Sequence, residues 1–197
     1  MITSLDQLDL SKRYTYADYL SWQFEDLVEL IRGKVVKMPA PTTLHQTNST
    51  NLLVAIGSYL KGKQCKAFAA PFDVRLPLPP EQATNDKVTT VVQPDICIVR
   101  DLEKLDKRGC KGAPDWIIEI LSKSTASKDL KDKFELYQHA KVKEYWVVYP
   151  NEETIIPYQS DQDGKYIAFR PNPFTKGEQI NSHVFPDLKI ELSEIFE

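Results

Sequence analysis

Carboxylates interrupt three otherwise apolar, strand-like segments of this chain. Glu29 and Glu119 lie inside runs of Leu, Val, Ile and Trp, and Asp95 follows Pro94 directly before the apolar run Ile96–Val99. An ionised carboxylate in an apolar interior is costly unless it is paired, protonated or bound to a metal. Several carboxylates that converge on one core therefore indicate a cation site, and a divalent metal is the leading explanation.

The length and composition favour one soluble domain spanning residues 1–197. The chain has 197 residues, 42% of them hydrophobic, which is enough to bury a core without covalent staples. No apolar run approaches the roughly 18 residues that a membrane helix requires, and the amino terminus lacks a signal-peptide pattern. We therefore expect a cytoplasmic protein that does not associate with a membrane. The three cysteines show no metal-binding spacing, which argues against disulfides and structural zinc.

The net charge of −3 argues against broad, purely electrostatic binding of nucleic acid. Residues 100–133 form a locally basic region with nine Lys or Arg against seven Asp or Glu. Charge alone leaves two interpretations of this region open, an ordinary solvated surface and a phosphate-binding patch.

Apolar spacing and turn-forming residues predict a mixed order of helices and strands. The predicted helices cover residues 16–22, 43–60, 127–140 and 193–196. The predicted strands cover residues 26–31, 34–38, 65–70, 72–76, 91–99, 115–121 and 143–149, with a further hairpin around residues 163–164. Segments 91–99 and 115–121 are nearly continuous in hydrophobicity, which is typical of central strands covered on both faces.

Lys133 occupies an unusual position on the predicted helix 127–140. At about 100° per residue it falls on the same half of the helix as the apolar residues Leu130, Phe134, Tyr137 and Ala140. Its ammonium either extends along the edge of the core into water or pairs with a carboxylate of the sheet. Glu119, on the preceding strand, favours the pairing.

Short motifs distributed over most of the chain carry a family resemblance. They are VELIRG (28–33), KMP (37–39), HQ (45–46), FDVR (72–75), VQPDICIVRD (92–101), GAPDWIIEILS (112–122), Ser124 and Thr125, Lys133, Tyr137 and EYW (144–146). Together they resemble the Uma family of restriction-endonuclease-like proteins over roughly residues 14–196. The resemblance implies the PD-(D/E)XK nuclease fold, an α/β (α+β) architecture in which helices flank a central mixed sheet, with an amino-terminal helix and β-hairpin.

The resemblance also implies a metal site. Asp95 and Glu119 would bind Mg²⁺, or Mn²⁺ as a substitute, and the carbonyl oxygen of Ile120 would add a third ligand. The superfamily pattern places a lysine two residues after the glutamate, but this chain has Leu121 there. Lys133 matches the lysine that takes this role in the family, and Lys123 is a minor alternative.

Three further residues keep more than one interpretation each. Glu29 would bind the metal through water or steady Lys133, or it is an exposed hairpin residue. Asp73 is a further acidic contributor to the site or a strand-end residue hydrogen-bonded near Arg75. His45, at the start of a helix, is a capping or surface histidine or a member of the site.

Three functions are consistent with these residues. The favoured one is a Mg²⁺-dependent endonuclease that cleaves DNA, acting as a homodimer by analogy with other enzymes that cut two strands. The second is a nuclease fold retained as a binding or assembly module without catalysis. The third is a metal-dependent hydrolase of another phosphate ester.

Overall fold

The computed structural model describes residues 2–78, 84–122 and 128–197. Helices and β-strands are mixed along these ranges. Within these ranges the α-helices are α1 Tyr16–Tyr19, α2 Thr43–Leu60, α3 Lys128–His139 and α4 Leu192–Ile195, and 3₁₀ turns cover Leu5–Gln7 and Leu102–Lys104. The strands are β1 Val28–Ile31, β2 Lys34–Lys37, β3 Lys66–Ala69, β4 Val74–Arg75, β5 Val91–Val92, β6 Ile96–Val99, β7 Leu105–Asp106, β8 Gly109–Lys111, β9 Trp116–Ile120, β10 Glu144–Tyr149, β11 Thr154–Ser160, β12 Tyr166–Ala168, β13 Phe174–Thr175, β14 Gln179–Asn181 and β15 Lys189–Glu191.

The central sheet has the order β12-β11-β10-β9-β6-β3, and β13 pairs with β11. Strands β9 and β10 are parallel, whereas β6 and β9 are antiparallel, as are β3 and β6. The sheet is therefore mixed, as the sequence predicted. Helix α3 supplies the crossover between the two parallel strands, which is the connection that a parallel pair requires.

The two faces of the central sheet are covered by different helices. Alternate residues of β6, β9 and β10, such as Ile118, pack against α2 and α4. The residues between them, such as Ile117, pack against α3. Because side chains alternate along a strand, Glu119 shares the face of Ile117 and is directed toward α3.

A second sheet carries the amino-terminal hairpin. Its order is β2-β1-β5-β4-β8-β7, and the hairpin is antiparallel, with Glu29 opposite Val36. Leu30 of β1 pairs with Val91 of β5, so the hairpin lies beside the segment that leads to Asp95. A small third sheet joins β14 to β15.

One predicted strand is wrong as a continuous element. Residues 91–99 divide into β5 and β6, which belong to different sheets. Pro94 explains the break, because proline has no N–H to donate to a ladder. The interruption places Asp95 at the start of β6, between the two sheets.

The other predicted elements agree with the structure except at their ends. Helix α2 has the predicted bounds, whereas α1 stops at Tyr19, three residues earlier than expected. Strands β7, β8 and β13–β15 were not predicted. Within the described residues, no helix has the length and apolar character to cross a membrane.

Candidate active site

Asp95 and Glu119 meet where β6 and β9 run side by side. Oδ2 of Asp95 accepts a hydrogen bond of 2.7 Å from the backbone N–H of Ile120, the residue after Glu119. The register of the two strands pairs Ile96 with Ile118. The two carboxylates named from the sequence thus lie on either side of the backbone N–H of Ile120, whose carbonyl oxygen was the predicted third ligand.

Lys133 of α3 connects two of the buried glutamates. Its Nζ lies 3.0 Å from Oε1 of Glu119 and 3.1 Å from Oε1 of Glu29. The two glutamates are almost fully buried. The ammonium therefore faces the sheet rather than extending into water, and Glu29 is not an exposed hairpin residue but a direct partner of Lys133.

Negative charge exceeds positive charge in this cluster. Burial raises the pKa of Glu119, to about 7, and the charges of Asp95 and Glu29 add to this rise against the opposing effect of Lys133. Burial alone would lower the pKa of Lys133, but the same glutamates more than offset it and raise that pKa. Lys133 consequently stays protonated, and a further cation would relieve the repulsion among the carboxylates.

Tyr137, which the sequence placed among the apolar residues on one half of the helix, is also a member of the site. It does pack in the core, but its hydroxyl also donates a hydrogen bond of 2.5 Å to Oε1 of Glu119. Tyr137 lies one helical turn after Lys133, at i+4, so the same face of α3 supplies both donors. That spacing was the available signal for including its hydroxyl in the site.

His45 lies beside Asp95 rather than on the open surface. Its Nε2 is 3.1 Å from Oδ1 of Asp95, and both side chains are largely buried. Thr42 caps the helix instead, by accepting a hydrogen bond from the backbone N–H of His45. Burial would lower the pKa of His45, but the hydrogen bond to Asp95 and the charges of Asp95 and Glu119 raise it overall.

Asp73 occupies the far end of a polar chain that begins at Glu29. The backbone N–H of Gln93 donates to Oε1 of Glu29 at 2.8 Å, and its side-chain amide donates to Oδ1 of Asp73 at 2.9 Å. The hydroxyls of Tyr16 and Tyr19 also bond to Asp73. Asp73 is thus linked to the carboxylate cluster through one intervening residue, Gln93. Gln93, two residues before Asp95, was not singled out from the sequence.

The donor set suits a hard divalent cation that keeps much of its water. Among the described residues, no three His, Cys, Asp or Glu side chains form a group that could hold a metal by themselves. Mg²⁺ is commonly bound by one or two carboxylates, with water and substrate oxygens as the other ligands. Asp95, Glu119 and the carbonyl oxygen of Ile120 match that pattern. Lys123, the alternative lysine, and the motif residues Ser124 and Thr125 lie outside the described residues.

These features define a nuclease-like fold with a buried acidic centre whose glutamates contact Lys133. A crystal structure of a putative nuclease belonging to DUF820 from Anabaena variabilis has a TM-score of 0.70 to this chain, at 19% identity. The match covers 93% of this chain and 97% of that one. This chain belongs to the Uma2 family, described as putative restriction endonuclease, whose profile matches residues 16–193. No curated protein matches the chain.

Proposed function

We propose that the protein is a Mg²⁺-dependent endonuclease that hydrolyses phosphodiester bonds in DNA. The observation that carries this proposal is the convergence of Glu119 and Glu29 on Lys133, with Asp95 bonded to the peptide that follows Glu119, in a buried cluster with excess negative charge. Membership in a family described as putative restriction endonuclease supports the same chemistry.

Mg²⁺ would be held by Asp95, Glu119 and the carbonyl oxygen of Ile120, and when bound it supplies Lewis acidity and lowers the pKa of a coordinated water. Lys133 contributes a fixed positive charge. Because its pKa is raised, it donates hydrogen bonds rather than accepting a proton. It orients the attacking water and offsets negative charge that develops on the phosphoryl oxygens.

Glu29 and Tyr137 hold Lys133 and Glu119 in position. Glu29, on β1 of the second sheet, holds the ammonium of Lys133, and the backbone N–H of Gln93 fixes Glu29 in turn. Tyr137 binds the same oxygen of Glu119 as Lys133 does. These contacts restrict the rotamers of the lysine and the glutamate, which is how a site is preorganised before substrate arrives.

Incubation of the purified protein with supercoiled and linear DNA tests the proposal. Cleavage is expected with Mg²⁺ or Mn²⁺, is expected to stop with EDTA, and is expected to be lost in Asp95→Asn and Glu119→Gln. Normal cleavage by either folded variant would show that the site is assigned wrongly.

A parallel set of substrates and a mass measurement separate the alternatives. Turnover of mononucleotides or sugar phosphates without cleavage of DNA would indicate a hydrolase of small phosphate esters. Metal and DNA binding without any turnover would indicate a binding module. Light scattering during size-exclusion chromatography tests the homodimer, which would place two centres on the two strands of a duplex.

A further inference from the structure

A basic pocket lies beside the acidic centre rather than at it. The pocket has a volume of about 450 Å³ and is lined by Arg13, Arg32, Leu78, Thr89 and His139. Its volume is within the range of about 300 to 1,000 Å³ that is typical of ligand sites. The two arginines and the histidine give it the hydrogen-bond donors that an anion requires.

The turn of the amino-terminal hairpin holds the two arginines together. Arg13 donates a hydrogen bond from its guanidinium to the carbonyl oxygen of Arg32. Gly33 makes this approach possible, because its φ is +80° and a Cβ there would lie 3.0 Å from the Cβ of Arg13. The backbone N–H of Tyr14 bonds to the carbonyl oxygen of Gly33 and secures the crossing.

Neither arginine has a carboxylate partner in an ion pair within the part of the chain that the structure describes. Both arginines line the same pocket, and a bound anion would interact favourably with the two positive charges. Guanidinium groups match phosphate oxygens in geometry, because two parallel N–H donors face two acceptors.

Elements that build the acidic centre also line this pocket. Arg32 follows Glu29 by three positions, directly after β1, and His139 follows Lys133 by six positions on α3. At about 3.3 Å per strand residue and 1.5 Å per helix residue, each separation is on the order of 10 Å. Nucleotides along one strand of DNA rise by about 3.4 Å, so this distance corresponds to a few nucleotides.

We propose that the pocket lined by Arg13, Arg32 and His139 is a subsite for a backbone phosphate of DNA, a few nucleotides from the scissile bond. This inference rests on the proposed function and deepens it, because a second phosphate site selects a polynucleotide over a mononucleotide. It also accounts for how an acidic chain holds DNA, since the binding charge is concentrated at one place instead of spread over the surface.

The test compares the double variant Arg13→Gln/Arg32→Gln with Lys61→Gln/Lys63→Gln, which removes the same charge. The two lysines are exposed and lie beyond the far end of α2, about 24 Å from His45. Binding of a short fluorescent DNA duplex is measured in EDTA over a series of salt concentrations, so that no hydrolysis occurs. Arg13→Lys/Arg32→Lys keeps the charge, and urea unfolding establishes that every variant is folded.

The arginine-to-glutamine variant is expected to bind DNA about tenfold more weakly than the wild type. The slope of the logarithm of its affinity against the logarithm of the salt concentration should become shallower by about 0.9 for each DNA phosphate that the variant no longer neutralises. The lysine-to-glutamine control should change little, and the arginine-to-lysine variant should retain most of the affinity. Equal effects of the two glutamine variants would overturn the subsite. Binding of inorganic phosphate that the arginine substitutions abolish, with DNA affinity unchanged, would overturn it too, by assigning a small-anion site.

The two proposals fail in different ways. If the wild type cleaves DNA and the arginine-to-glutamine variant binds DNA as tightly as the wild type, the subsite proposal is wrong and the nuclease proposal stands. If the wild type binds DNA but shows no metal-dependent cleavage, the proposed nuclease activity is wrong. The DNA affinities of the variants would still test the phosphate subsite. Absence of wild-type binding to duplex DNA would overturn both.

Discussion

Nζ of Lys133 lies 3.0 Å from Oε1 of Glu119, so a lysine of the crossover helix α3 contacts β9, the strand that comes before that helix. The superfamily pattern would place that ammonium on the strand itself, at the position of Leu121. In this chain the ammonium comes instead from α3, which covers one face of the sheet, and Glu29 also contacts it. One lysine thus contacts two glutamates, and the site retains excess negative charge, which the proposed metal would neutralise.

Replacing Lys133 by Met should destabilise the fold by about 3 kcal/mol, because Glu29 and Glu119 would lose their shared buried partner. The loss should grow as pH rises through 7, since Glu119, whose pKa burial raises to about 7, ionises over that range and then needs the ammonium most. Urea unfolding at several pH values measures it. Lys131→Met, on the exposed side of α3, is the matched control. A loss as small as that of the control would contradict the buried pairing.

Glu119→Gln should stabilise the metal-free protein at neutral pH, on the order of 1 kcal/mol. Glu119 has a pKa of about 7 in the fold against the ordinary 4.5, so ionising it there is unfavourable. This cost is absent below pH 4.5, appears as pH rises toward 7 and is complete above 7. Thermal unfolding across that range measures the difference from wild type. Glu25→Gln, at an exposed position, is the matched control. Destabilisation by Glu119→Gln above pH 7 would refute the prediction.

Tyr137→Phe should move the pH profile of Mg²⁺ binding upward by about half a unit, because the hydroxyl stabilises the ionised form of Glu119. It should also cost about 1.5 kcal/mol of stability, since a hydrogen bond to a buried carboxylate is removed. Calorimetric titration with Mg²⁺ at several pH values measures the shift.

Tyr145→Phe is the control for this change. Tyr145 is equally buried, and no group among the described residues hydrogen-bonds its hydroxyl. Its removal should leave the Mg²⁺ profile unchanged and should be neutral or slightly stabilising. Identical profiles for the two variants would show that the Tyr137 hydroxyl does not act on the metal site.

Adding Leu121→Lys to Lys133→Met should restore part of the cleavage rate, about tenfold, or roughly 1.4 kcal/mol of transition-state stabilisation. Leu121 packs on the face of the sheet that carries Glu119, so a lysine there approaches the same carboxylate. Single-turnover cleavage by the single and double variants measures the rescue. Rates no higher than those of Lys133→Met alone would mean that the two positions are not interchangeable.

The sequence predicted those parts of the molecule that depend on local periodicity. Helix α2 shows the predicted bounds, because Thr42 caps its start and apolar residues recur at helical spacing. The side of α3 that carries Lys133 was likewise predicted from the 3.6-residue period. Pro94 was visible in the sequence, but the continuous hydrophobicity of residues 91–99 concealed the break that it causes.

Contacts between distant segments could not be predicted in the same way. Tyr16 and Tyr19 reach Asp73 across more than 50 residues, and periodicity carries no information on such a pairing. The hydrogen bond from Tyr137 depends on how α3 is seated over β9, which packing of the whole sheet determines. The pocket at Arg13 depends on the crossing of two loops at Gly33.

The most direct test of the central claim is the single-turnover rate of phosphodiester cleavage by wild type and Glu119→Gln, measured with saturating Mg²⁺ on supercoiled DNA. We predict metal-dependent cleavage by wild type and a loss of at least about 1,000-fold, or roughly 4 kcal/mol, in the folded variant. A Glu119→Gln protein that cleaves at the wild-type rate would contradict the account. So would a wild-type protein that binds Mg²⁺ and DNA together and leaves the DNA intact.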